Sequence, residues 1–346
     1  MCIPRGIRGS RALKEPVPGR PLTVGVVGVG SLGFHHARIL RDLEGVRFEG
    51  FWEIRRERAQ EVARTLGVRA RPSLDDLLER VEAVVVAVPT TEHERVALGA
   101  LERGIHVLVE KPIAPSLAAA DRILEAGKAH GALVVAGHVE RFNPAVIAAE
   151  RYLESPLFIE SHRLAPFAPR GTDVAVVLDL MIHDVDLVES LVGTSIREIA
   201  ATGVPVLTPS ADIANARLTF EGGAVANLTA SRVSLERMRK LRIFQPSGYL
   251  SLDLDRGKGE FLRLKDGLPR FAEPGATDAS PGDGLEDVVE RIALNGHGGE
   301  PLALELANFR DAVLGSTEPA VPGRAGRDAL AISLAIEERI MSHVAD

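Results

Sequence analysis

Cysteine is nearly absent: among 346 residues only Cys2 carries a thiol, so no internal disulfide can form. That fits a reducing compartment, and the expected location is the cytoplasm. No apolar run approaches the roughly 18 residues that a membrane span needs. Basic charge is not in excess either: 41 Lys and Arg face 48 Asp and Glu, for a net charge of -7. The strong positive field of a nucleic-acid binder is therefore excluded, although a few local arginines would suffice for a small anionic substrate. Repeats, heptads and low-complexity tracts are missing too. Residues 1–20 are basic and carry Pro4, Pro16 and Pro18, but lack the apolar middle of a signal peptide, and read as a disordered leader. What remains is 45% hydrophobic and 26% charged over the whole chain, enough for two domains with separate cores.

The texture changes at Leu22. An apolar run from Thr23 to Val29 is short enough for a buried parallel strand, and it leads into Gly28-Val29-Gly30-Ser31-Leu32-Gly33 and a helical stretch to Leu43. Gly28 permits a tight turn, Gly30 lets a pyrophosphate approach the backbone, and Gly33 lets helix and strand pack closely. The helix start, with Ser31 and Leu32, offers free N–H groups to phosphate. Glu53 follows a second strand at Phe48–Trp52, 20 residues beyond Gly33. A carboxylate there accepts hydrogen bonds from the adenosine ribose and repels a 2′-phosphate, which favours NAD over NADP. Arg55 and Arg56 pull the other way, since either could hold that phosphate.

Further strands are expected at Val81–Val88, Ile105–Val109 and Leu133–Ala136, alternating with helices, one of them from about Ser116 to His130. Thr91 and Glu94 have capping-box spacing. This alternation predicts a doubly wound parallel sheet, an α/β Rossmann domain over residues 21–143. Gly28, Glu53, Pro89 with Thr90, Lys111 preceded by Glu110, and His138 all fall at strand carboxyl ends, where such sheets bind ligands.

Residues 144–346 read differently, as an α+β domain with a largely antiparallel open sheet. Strand-like segments recur at 157–164, 197–204, 213–220, 224–230, 240–244 and 249–254, with Glu221-Gly222-Gly223 as a hairpin turn. Residues 253–300 are rich in Gly, Pro and charge and read as a long loop or lid. Helices at 301–314 and 327–343 close the chain and are expected to return toward the first domain. A further helix, Val176–Val192, places Asp179 and His183 four apart on one face, with Asp186 three residues on. A carboxylate beside a histidine can fix its tautomer and raise its basicity; a surface ion pair is the bland alternative. No third ligand stands at a clear spacing, so no metal is expected.

These features together resemble the Gfo/Idh/MocA oxidoreductases from about Leu22 onward. The resemblance rests on the glycine fingerprint, Glu110-Lys111-Pro112, the stretch Gly137-His138-Val139-Glu140-Arg141-Phe142-Asn143-Pro144, and Asp179 with His183. It implies that Lys111 hydrogen-bonds the reacting oxygen, that His183 is the acid/base, and that Asp179 orients it. It also implies a cis Lys111–Pro112 bond, and a place for His93 beside the nicotinamide. His138, Arg141 and Asn143 would then face substrate. One departure is the replacement of a usual glycine triplet by Val174-Ala175-Val176, which stiffens the loop.

A narrower resemblance joins His162-Arg163-Leu164, Asp179 to Asp184, Ile213 to Arg217, and Asn227 to Arg232 to bacterial dehydrogenases that oxidise C3 of UDP-N-acetylglucosamine for lipid A synthesis. A substrate diphosphate would need cations, with Arg163, Arg170 and Arg232 as candidates and a sheet-edge or interface role as their alternative. The expected activity is NAD-dependent oxidation of a secondary hydroxyl by a homodimer or homotetramer. Lys111 is an alternative base. A free-sugar or inositol dehydrogenase, a redox-neutral lyase or epimerase, and a non-catalytic NAD-binding regulator are the competing readings. His35, His36 and His106 read as packed, solvated or structural.

Overall fold

The computed structural model describes residues 20–168, 174–265, 289–296 and 299–344. The basic leader and Arg170 lie outside the described residues. The chain forms two compact units, one of Met1–Gly137 with Glu305–Arg327, the other of His138–Leu304 with Asp328–Asp346.

In the first unit, β1 (Leu22–Val27), β2 (Val46–Trp52), β3 (Ala83–Val86), β4 (His106–Glu110) and β5 (Val134–Gly137) make a parallel sheet of order β2-β1-β3-β4-β5. All four residues of β3 are fully buried, as a strand covered on both faces requires. Each of its valines contributes about 1.5–3 kcal/mol by burial. The helices are α1 (Ser31–Asp42), α2 (Arg56–Leu66), α3 (Leu74–Leu78), α4 (Thr90–Leu101) and α5 (Leu117–His130). Ser116 caps α5 by accepting the Ala119 N–H, and Gly131 ends it at φ 63°. The capping box expected at Thr91 and Glu94 does not form: Pro89 is the N-cap of α4, and Glu94 instead pairs with Arg122. From β1 the chain runs outward to β2, then crosses to β3 on the opposite side of β1. That reversal makes the β1/β3 crevice the topological switch point.

The second unit holds an eight-stranded sheet of order β13-β12-β11-β10-β6-β9-β8-β7. Its strands are β6 (Phe158–Leu164), β7 (Ile196–Val204), β8 (Ile213–Phe220), β9 (Val225–Ser231), β10 (Met238–Gln245), β11 (Gly248–Asp253), β12 (Lys258–Leu264) and β13 (Val289–Asn295). Pairing is antiparallel except between β6 and β9. Alternation is clean in β8, where Ala214, Ala216, Leu218 and Phe220 are buried and Ile213, Asn215 and Arg217 are exposed. The expected hairpin forms between β8 and β9, with Gly223 at φ 85°.

Residues 253–300 are not one long loop, because β12 and β13 occupy both its ends and pair along seven positions. The remaining helices are α6 (Pro144–Glu150), α7 (Ile182–Val192), α8 (Pro301–Val313), which belongs to the first unit from Glu305 on, and α9 (Gly323–Val344), which belongs to the second from Asp328 on. The buried sheet face shares one core with Val177, Met181, Val185 and Val188, and with Ala329, Ile336 and Ile340 of α9. Among the described residues no helix is long and apolar enough to cross a membrane. The division between the units falls before His138, six residues earlier than the sequence pattern places it. Glu140, Arg141 and Asn143 all bond within the second unit, and so carry their segment with it.

Candidate active site

In the first unit the glycine loop sits at the switch point, and contact distances explain each glycine. Gly28 has φ 84°, and a Cβ there would stand 2.8 Å from the Ala87 carbonyl oxygen. A Cβ on Gly33 would come within 1.9 Å of the Gly28 carbonyl oxygen, so α1 could not pack on β1. At Gly30 the nearest atom is Arg55 Nη2, 3.9 Å away. The space left there is what a diphosphate needs. No side chain caps α1 and no acid lies in its first turn, which leaves the N–H groups at Ser31, Leu32 and Gly33 for an anion.

Glu53 follows the end of β2, with its side chain 5% exposed. Its Oε2 accepts the Val29 N–H at 3.0 Å, and its Oε1 accepts Arg55 N and Nε at 3.1 and 2.9 Å. Burial pushes this carboxyl up, but the hydrogen bonds from Arg55 and Val29 outweigh it and hold Glu53 below the ordinary value. Arg58 ties down the Val29 and Gly30 carbonyls. An anionic Glu53 under the loop, with Arg55 engaged to it, fits a ribose diol and disfavours a 2′-phosphate.

Lys111 follows β4 and is half-buried, and the Lys111–Pro112 bond is cis, as the resemblance implies. Two neighbouring residues are held by protein partners. The Glu110 carboxylate is buried against His36. His93 is 1% exposed, with Nδ1 3.0 Å from the Pro112 carbonyl and Nε2 2.9 Å from the Val88 carbonyl. It braces the backbone on both sides, and burial lowers its pKa. Pro89 and Thr90 open α4 at the end of β3, and Pro89 is exposed.

In the second unit, the expected helix begins with a π turn, Val177–Met181, and continues as α7. Asp179 lies in the π turn and His183 on the first turn of α7, both half-buried. Such one-turn π segments recur at functional sites. The sequence carries no periodicity that announces this one. His138, 1% exposed, stands edge-on to His183 with ring centroids 6.3 Å apart.

The remaining substrate candidates are occupied elsewhere. Arg163 is 3% exposed, forked onto Asp184 at 2.7 and 3.1 Å, and bonded to Glu140 at 2.8 Å. Burial depresses its guanidinium, but Asp184 and Glu140 more than restore the charge. Arg141 forks onto Asp186 at 2.7 Å through both arms, which removes Asp186 as a partner for His183. Asn143 caps α6 and donates to the Leu254 carbonyl and Glu140. Arg232 is held by Asp212 and donates to the Val174 carbonyl at 2.6 Å. Arg163 and Arg141 brace α7 through Asp184 and Asp186, Arg232 holds the loop at Val174, and Asn143 secures α6, so the guanidinium groups of Arg163 and Arg232 are engaged within the unit. Sequence reading could not see this, because it shows the cations without the buried carboxylates that claim them.

The comparisons agree with this geometry. The model of the oxidoreductase family with an NAD-binding Rossmann fold (GFO/IDH/MocA) matches residues 22–138, and that family's C-terminal domain matches 157–251. The chain belongs to the GFO/IDH/MocA oxidoreductases, enzymes that use a nicotinamide cofactor bound on the first domain. Among its relatives, the UDP-N-acetylglucosamine 3-dehydrogenase of Acidithiobacillus ferrooxidans is 36% identical over 91% of this chain and 96% of its own length. A solved structure of that enzyme superposes with a TM-score of 0.83 at 33% identity, covering 93% of this chain and 98% of that one. The NAD-dependent scyllo-inositol 2-dehydrogenase of Bacillus subtilis is 28% identical over 60% of this chain and 67% of its own length.

Proposed function

We propose that this enzyme oxidises the C3 hydroxyl of UDP-N-acetylglucosamine with NAD, giving the 3-keto nucleotide sugar. One observation carries the substrate choice: similarity to the Acidithiobacillus enzyme runs through nearly the whole of both chains. The inositol dehydrogenase, by contrast, matches only 60% of this one.

A bound nicotinamide would supply the acceptor for the hydride of the carbinol carbon. His183 takes the hydroxyl proton as the C–H bond breaks, and Asp179, four residues earlier, holds the imidazole in the tautomer that can accept it. Negative charge grows on the substrate oxygen during the step, and the Lys111 ammonium stabilises it. The glycine loop and the start of α1 receive the cofactor diphosphate, and Glu53 its adenosine ribose. With Arg163 and Arg232 engaged internally, Arg170 is the one of the three diphosphate candidates that this reading retains.

The enzyme works in the cytoplasm, where a chain with one thiol and a need for NAD is at home. It assembles as a homodimer or homotetramer. In support, Phe158, Phe244 and Tyr249 make a half-buried aromatic ladder across β6, β10 and β11, with centroids 5.7 and 5.1 Å apart.

Turnover settles the substrate. Incubated with NAD, the enzyme is expected to form NADH with UDP-N-acetylglucosamine. NADH from myo-inositol, and from no UDP-sugar, would overturn this reading in favour of a cyclic-polyol dehydrogenase.

A further inference from the structure

We infer that the buried pair His36 and Glu110, with Glu305 beside it, fixes the backbone from which Lys111 acts; the inference rests on the proposed role of Lys111. The three side chains come from α1, the last residue of β4, and α8. They are 0%, 6% and 1% exposed, and one ligand-type atom from each lies within 4.8 Å of the others. Burying ionisable groups costs several kcal/mol, and apolar residues of similar volume would fill the same space at least as well. A cluster kept at that cost has a use beyond packing.

Its geometry shows the use. Glu110 Oε1 shares a 2.6 Å hydrogen bond with His36 Nε2, while Oε2 accepts the backbone N–H of Lys111 at 3.2 Å. Both carboxylate oxygens are thus tied, one to α1 and one to the lysine's own main chain. Room for the carboxylate is made by Gly137, where a Cβ would stand 3.0 Å from Glu110 Cδ and Oε2. On the other side of the turn, His93 Nδ1 holds the Pro112 carbonyl. His36 lies in the same helix whose first turn faces the diphosphate space. The cluster therefore sets the lysine's backbone relative to the cofactor cradle, within one unit. The 2.6 Å contact is a hydrogen bond; two ligands sharing one tetrahedral zinc, each about 2.0–2.2 Å from the ion, would stand more than about 3 Å apart.

A double-mutant cycle on the holoenzyme tests this, using His36→Leu, Lys111→Ala and the pair, with His36→Gln as the variant that keeps a donor. His36→Leu is expected to lower kcat by about 10²-fold, the cost of displacing a catalytic group by roughly 1 Å. NAD affinity, read by fluorescence titration, should stay within about threefold. His36→Gln should recover much of the loss, and the double variant should be no slower than Lys111→Ala alone. Should His36→Leu not fold, Glu110→Asp, which withdraws the carboxylate from Lys111 N–H, takes its place in the cycle. Losses that multiply, an unchanged kcat, or one tightly held metal per chain whose removal abolishes activity would overturn the inference alone. A harmless Lys111→Ala would overturn the reading of Lys111 on which it stands.

Discussion

The two units build their halves of the chemistry in opposite ways. The first works with backbone: Gly28, Gly30 and Gly33 contribute by what they lack, and α1 contributes uncapped N–H groups. The second works with side chains, and among the described residues its buried charged groups pair with one another. Arg163 with Asp184 and Glu140, Arg141 with Asp186, and Arg232 with Asp212 surround the turn that carries Asp179 and His183. A sheet-switch site can be rigid through sterics alone. A site on a π turn needs bracing, and here ion pairs supply it.

The sharpest way to break that contrast is Arg163→Met. It leaves Asp184 buried without its cation and Glu140 with only the longer 3.4 Å pairing to Arg239, so denaturant unfolding should show a loss of about 3–5 kcal/mol. A loss below about 1 kcal/mol would mean that Arg163 is no brace and return it to the substrate candidates. Lys111→Ala should do the reverse. It should cut kcat/KM by about 10²–10³-fold while the melting temperature stays close to that of the parent. A large fall in stability with little change in rate would erase the distinction between working and bracing charges.

Asp212 gives a pH handle on the second unit. Burial raises its carboxyl, but the N–H groups of Leu207, Thr208 and Val206 together with Arg232 outweigh this and lower it far below the ordinary range. Its folded-state pKa is depressed, so its contribution is complete above the unfolded-state value and is lost as pH falls below it toward the folded one. Asp212→Asn should cost about 1.5–3 kcal/mol at neutral pH and flatten the acid limb of a melting-temperature profile. An unchanged acid limb would remove Asp212 from the bracing set. The smallest effect concerns cofactor choice. Glu53→Gln should raise the kcat/KM ratio of NADP to NAD by roughly tenfold, through loss of the carboxylate charge that repels a 2′-phosphate and through release of Arg55. An unchanged ratio would show that Glu53 serves the loop through Val29 and not the ribose.

The first unit was the more legible one because its rules are local. A position where a Cβ would stand 1.9 Å from the Gly28 carbonyl oxygen must be glycine, so Gly33 shows in the sequence pattern, and the continuous apolar run Ala83–Val86 reads as a strand at once. In the second unit the pair Asp179 and His183 could be read from spacing, but the π turn beneath it could not. β12 and β13 escaped because they lie at one end of the sheet. Lys258, Glu260, Glu290 and Arg291 give them a loop-like composition, although charge is what protects such strands from aberrant pairing. Arg263 and Glu290 close that ladder at 2.7 Å, a pairing between residues 27 apart in the chain. The arginines misled for the same reason: Arg163 and Asp184 stand 21 residues apart, and only the fold shows them in contact.

Isotope transfer tests the central claim most directly. UDP-N-acetylglucosamine carrying deuterium at C3 is given to the enzyme with NAD, and the reduced cofactor is weighed by mass spectrometry. Deuterium in the nicotinamide ring is the outcome expected here. Unlabelled reduced cofactor would place the oxidation at another carbon, and no reduction at all would contradict the assigned chemistry.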